Sequence, residues 1–105
     1  MTRIGYRYRF AKDIDLRDAR DTLLLALLAA EGLFGRGRVR MDSAWAGDES
    51  INVIVIDAGT LVGMTISLIF TAFITAEFGT DAFDVRQVET FLAERENAVP
   101  PQTQS

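Results

Sequence analysis

Ten of the eleven basic residues in this chain are arginine, and Lys12 is the only lysine. A planar guanidinium binds carboxylate or phosphate through two parallel hydrogen bonds, so clustered arginines are candidate anion ligands. Arg7, Arg9, Arg38, Arg40 and Arg86 fall on alternating stretches that would put them on one side of strands, with Arg3 beside them. The chemistry this permits is recognition of a phosphate, a carboxylate or a nucleic acid. Two observations favour a plainer role. Asp42 and Asp84 interrupt the positive field, so cross-strand Arg–Asp pairing accounts for the same residues. Sheets that bind RNA also need exposed aromatics to stack bases, whereas Tyr6, Tyr8, Phe10 and Trp45 alternate onto the opposite side.

Other chemistry is scarce. The chain has no cysteine and no histidine. Disulfides, thiolate metal sites and cysteine nucleophiles are excluded, and the commonest general base and metal ligand is missing. Gly35-Arg36-Gly37 is too short for a nucleotide loop, and no serine lies in a nucleophile elbow. Asp57-Ala58-Gly59-Thr60 leads into a helix N-terminus, which can hold an anion through free amide hydrogens, but the Asp57 carboxylate would repel one. Asp48 and Glu49 read as solvated turn residues. The expectation is a domain with no catalytic residue, no cofactor and no bound metal. The net charge of −4 weighs mildly against polyanions. MTRIGYRYRF carries no apolar leader, so a cytoplasmic location is expected.

The elements that would position these side chains are readable from periodicity. Residues 3–10 alternate, with Ile4, Tyr6, Tyr8 and Phe10 opposite Arg3, Arg7 and Arg9, as in a half-buried strand. Asp13 and Asp15 offer N-caps to a helix from about Leu16 to Glu31, whose core stripe is Leu16, Ala19, Leu23, Leu27, Ala30 and Phe34. Arg38 to Trp45 alternates and predicts a second strand with Val39, Met41 and Trp45 on one face. Residues 46–50 form the following turn, and INVIVI, Ile51 to Ile56, reads as a central strand exposing Asn52, Ile54 and Ile56. A second helix, capped by Asp57 or Thr60, runs to Phe78 and stops at Gly79. Phe83 to Arg86 predicts a short fourth strand and Glu89 to Asn97 a helical turn or two.

The order β-α-β-β-α-β resembles the ferredoxin-like, split-βαβ arrangement, an α+β sandwich of two helices on one face of a four-stranded antiparallel sheet. The resemblance covers residues 3–88 and concerns the fold, which hosts many unrelated functions. Residues 1–97 are expected to form one domain and residues 98–105 a disordered tail.

What this architecture cannot absorb is apolar surface. Ala58 to Ala76 is 19 residues without a charge, and Leu23 to Ala30 is a second apolar block. In the second helix Val62, Ile66, Ile69 and Phe73 make a core stripe, with Phe70 beside it, and Leu61, Met64 and Leu68 are left over. In the first helix Leu24, Leu25 and Leu28 remain outward. Burying six such side chains is worth roughly 9–18 kcal/mol as an upper bound, and monomers rarely leave that much open. These six residues are therefore expected to form a protein–protein interface, most simply in a homo-oligomer. A transmembrane role fits less well: the segment carries Thr60, Thr65, Ser67, Thr71 and Thr75 and lacks a flanking Trp or Tyr belt. The partner is expected to be a protein, with neither membrane nor nucleic acid expected. The alternative is an anion- or nucleic-acid-binding module that uses the arginines.

Overall fold

The computed structural model describes residues 3–90 of the chain. The expected helical turn at Glu89 to Asn97 falls, apart from its first two residues, outside the described residues, as does the expected tail at 98–105.

Four strands, β1 (Arg3–Phe10), β2 (Trp45–Asp48), β3 (Val53–Asp57) and β4 (Phe83–Thr90), form one antiparallel sheet in the order β2-β3-β1-β4. Three helices, α1 (Leu16–Phe34), α2 (Arg36–Asp42) and α3 (Leu61–Phe78), complete an α+β fold. The helix count thus exceeds the expected two. β1 alternates as expected in its second half, where Tyr8 and Phe10 are buried and Arg9 is exposed; at its start the expectation fails, with Ile4 exposed and Gly5 buried. The core lies between the sheet face carrying Tyr8, Phe10, Ile54 and Ile56 and the helical residues Leu23, Ala26, Ala30, Ile66, Phe70 and Ile74. Phe70 anchors it, meeting Tyr8 edge-on at 4.9 Å between ring centroids and Phe10 at 6.4 Å. Alanines at 19, 26 and 30 keep the α1 face low where it meets its neighbours.

The caps follow their sequence signals. Asp15 accepts the Arg17 amide at the start of α1, and Thr60 accepts the Gly63 amide at 2.9 Å at the start of α3. Gly79 ends α3, its N–H bonding to the Thr75 carbonyl.

Three further expectations fail. Residues 38–42 are helical, and β2 begins only at Trp45. Gly35, at φ +86°, ends α1 in a conformation side chains rarely adopt and redirects the chain into α2. Arg38 then pairs with Asp42 one turn on, at 3.5 Å, and stacks on Phe34. Val39 and Met41 therefore share no buried face: Val39 is buried but Met41 is 81% exposed. Second, Ile54 and Ile56 are core residues, and Val53 and Val55 take the opposite face. Pairing Tyr8 with Ile54 and Tyr6 with Ile56 fixes that phase, and a one-residue slip exchanges the faces. Third, the buried stripe of α3 is Val62, Ile66, Phe70 and Ile74; Ile69 is only half-buried and Phe73 is exposed. Gly63 and Ser67 are buried as well, so the helix is rotated toward its small residues. Beyond these, β4 is twice the expected length and pairs with the whole of β1.

Candidate interaction surface

The outward sides of α1 and α3 carry most of the residues expected in a contact. Leu24, Leu25, Leu28, Leu61 and Leu68 are all at least half exposed, with Leu28 at 62% and Leu68 at 65%. Met64 is half-buried. The reason lies in composition. Each helix packs one face inward, and charge is scarce on the rest of it: α3 has only Glu77, and α1, though charged near both ends, has no charged residue between Thr22 and Ala30.

Hydroxyls do not make up the deficit. Thr65 donates to the Leu61 carbonyl at 2.8 Å, Thr71 to Ser67 at 2.8 Å and Thr75 to Thr71 at 2.6 Å. Each bond turns the oxygen back onto the helix and leaves the methyl group outward. The α3 surface is therefore more apolar than its threonine content implies.

The leucines spread over two flanks. Leu25 lies with Phe73, Ala76, Thr22 and Glu77 in a shallow groove of about 350 Å³ between α1 and α3. A hydrogen bond from Thr22 to Glu77 ties the helices together there. Leu24 and Leu28 follow Arg20 at intervals of four, and Arg20 reaches Glu49 at the β2 end, so these two lean toward β2. Leu68 lies on the other side of α3, in a cleft of about 160 Å³ with Tyr6, Tyr8, Ser67, Thr71 and Val85. The expected residues thus do not share one groove: Leu25 and Phe73 lie between the two flanks, with exposed Ala72 at helical spacing from Leu68.

On the helices, exposed apolar residues that were not foreseen are Leu33, Met41 and Phe73, of which Phe73 lines the groove with Leu25. Leu33 lies past the expected end of the first helix, and Met41 lies in the unforeseen α2. Small residues at 63 and 67 were the available signal that α3 turns Phe73 outward.

The cleft beside Leu68 has a polar floor. Tyr8 Oη lies 2.8 Å from Thr71 Oγ1 and 3.2 Å from the Ser67 carbonyl. Burial raises the Tyr8 phenol above its ordinary value of 10.0, against the opposing pull of those bonds. Ser67 Oγ is buried without a hydrogen-bond partner among the described residues.

The arginines divide. Arg38 and Arg40 belong to α2, not to the sheet, which corrects the expectation of one arginine face. Arg7, Arg9 and Arg86 do share the open side of the sheet, with Arg7 directly opposite Arg86 and Arg9 opposite Asp84. Arg3 lies 3.7 Å from the buried carboxylate of Asp57, whose other oxygen accepts the Gly59 amide at 2.8 Å. Arg86 lies 3.9 Å from Asp84. Among the described residues no group of His, Asp or Glu is placed to hold a metal ion. Comparison of the chain with family models, with curated proteins and with solved structures finds no match.

Proposed function

We propose that this chain is a non-catalytic protein–protein interaction module, a homodimer or a small subunit of a larger assembly, that associates through the apolar backs of α1 and α3 in the cytoplasm. The observation that carries the reading is the leucine surface itself, with Leu28, Leu61 and Leu68 each above 60% exposure on helices whose hydroxyls are turned inward. Such a surface exceeds what a monomer ordinarily leaves to water. We further propose a ferredoxin-like assignment. It is supported by the order β2-β3-β1-β4, in which each crossover steps over one intervening strand, with α2 as an addition to the first crossover.

α3 is long and apolar enough to cross a membrane. Its packing of Val62, Ile66, Phe70 and Ile74 against the sheet favours the protein-contact reading. The anion-binding alternative retains one supporting observation, the like-charged pair Arg7 and Arg86 opposite each other. It predicts retention on heparin that falls steeply with salt.

The test of the main reading is solution mass across concentration for the wild type, Leu25→Glu and Leu28→Glu. The expected result is a wild-type oligomer that dissociates at least about tenfold more readily in either variant, with unchanged helical content. A wild type that stays monomeric at every concentration refutes self-association. In that case, failure of the same leucines to bind any co-purifying subunit refutes the module as a whole.

A further inference from the structure

Among the described residues β4 is the outermost strand of the sheet and pairs with β1 along one side only. The phase of that ladder is fixed at its end, where the Ala11 amide donates to the Ala82 carbonyl at 2.8 Å. In an antiparallel ladder the hydrogen-bonded pairs alternate. Asp84, Arg86 and Val88 therefore bond inward to Arg9, Arg7 and Gly5. The main-chain N–H and C=O groups of Phe83, Val85 and Gln87 point away from the sheet.

We propose that a second copy of this chain pairs with this edge, antiparallel, with Val85 opposite Val85, so that two sheets become one. A two-fold axis normal to the sheet keeps both helix layers on the same side, so residues facing each other across the seam have the same parity. The hydrogen-bonded positions must be those whose main-chain groups point outward. Centring on Asp84, Val85, Arg86 or Gln87 satisfies both conditions, and charge chooses among them: centring on Asp84 or Arg86 sets two like charges face to face. With Val85 at the centre, Asp84 of each copy faces Arg86 of the other, in the close, non-hydrogen-bonded pairs where side chains approach most nearly. With Gln87 at the centre, Arg86 faces Val88, and no opposite charges meet. On the helix side the Val85 pair closes beside the Leu68 cleft and covers apolar surface now exposed. β2, the other edge, has only four residues and offers a shorter seam.

This contact goes beyond the helix-face reading and shares with it only the flank of Leu68. The experiment is sedimentation equilibrium of the wild type, Val85→Pro, Arg86→Asp, the exchange Asp84→Arg/Arg86→Asp, and Leu25→Glu. Proline at 85 removes an outward N–H and leaves the β1 ladder intact, so folding is retained and is checked by circular dichroism. The expected result is roughly tenfold or greater weakening of the dimer in Val85→Pro and in Arg86→Asp. The exchange variant should recover to within about threefold, because it restores opposite charges across the seam. A folded Val85→Pro that dimerises like the wild type overturns the proposal, as does an exchange variant no tighter than Arg86→Asp. Loss of association in Leu25→Glu with the β4 variants unaffected overturns this seam and leaves the helix-face reading standing. A wild type monomeric at all concentrations overturns self-association by either surface.

Discussion

Gly63 lies against the main chain of Asp57: a Cβ placed at position 63 would come within 2.1 Å of the Asp57 carbonyl oxygen. No rotamer relieves that clash, because the obstacle is backbone. The first turn of α3 and the end of β3 are therefore joined by a contact that only glycine permits.

Gly63→Ala should destabilise the fold by about 3 kcal/mol or more, since either the helix or the strand end must move. Gly37→Ala is the matched control. Position 37 lies inside α2 with open space around it, so the same change should stabilise by roughly 0.5–1 kcal/mol. Urea unfolding of both variants decides the matter, and equal effects would contradict the contact.

Thr60 joins three segments through one hydroxyl, which accepts the Gly63 amide and donates to the Asp42 carbonyl at 2.7 Å. Thr60→Ala should cost about 1–2 kcal/mol, with Thr60→Ser recovering most of it. Thermal unfolding measures both. A serine variant as weak as the alanine variant would show that the methyl group, not the hydroxyl, matters.

Asn52 adopts φ +57° in the turn between β2 and β3, and its side-chain amide donates to the carbonyls of Ala11 at 2.9 Å and Ile14 at 3.0 Å. Three substitutions separate backbone strain from bonding. Asn52→Gly relieves the strain and loses the bonds; Asn52→Ala incurs both losses; Asn52→Asp adds a carboxylate aimed at carbonyl oxygens. Stability should fall in the order Gly, Ala, Asp, with Ala about 1–3 kcal/mol below wild type. The order, read from denaturant midpoints, is the check.

Tyr8 supplies a pH dependence. Its phenol is raised in the folded state by burial, so the neutral form is favoured there. The resulting stability is fully present below the ordinary value of 10.0 and is lost as pH rises through the higher folded value. The protein should therefore lose stability in the alkaline range. Tyr8→Phe should flatten this component while lowering neutral-pH stability by about 1 kcal/mol for the lost hydrogen bonds. Thermal melts from pH 8 to 11.5 test it, and an unchanged alkaline slope in the variant would refute the assignment.

The long elements were legible because their signals repeat. Arg3 to Phe10 alternates over a whole strand, and the caps Asp15, Thr60 and Gly79 lie where composition places them. α2 was not legible, because seven residues that bury only Val39 leave no periodic trace. The phase of β3 was also hidden. Val53 to Ile56 is apolar on both faces, so only pairing with Tyr6 and Tyr8 decides which residues face the helices. Five of the six residues expected in a contact are at least half exposed, and that exposure was legible because missing charge is visible in a sequence. The arginine face was not found as drawn, because Arg38 and Arg40 depended on the strand that became α2.

The order β2-β3-β1-β4 also governs when this protein can fold. Both neighbours of β1 lie far downstream, Val53 to Asp57 on one side and Phe83 to Thr90 on the other. During synthesis the first strand emerges from the ribosome and waits. The apolar third helix is then made before the last strand exists. The sheet cannot close until β4 is made, and until then α3 lacks part of the sheet it packs against in the finished fold.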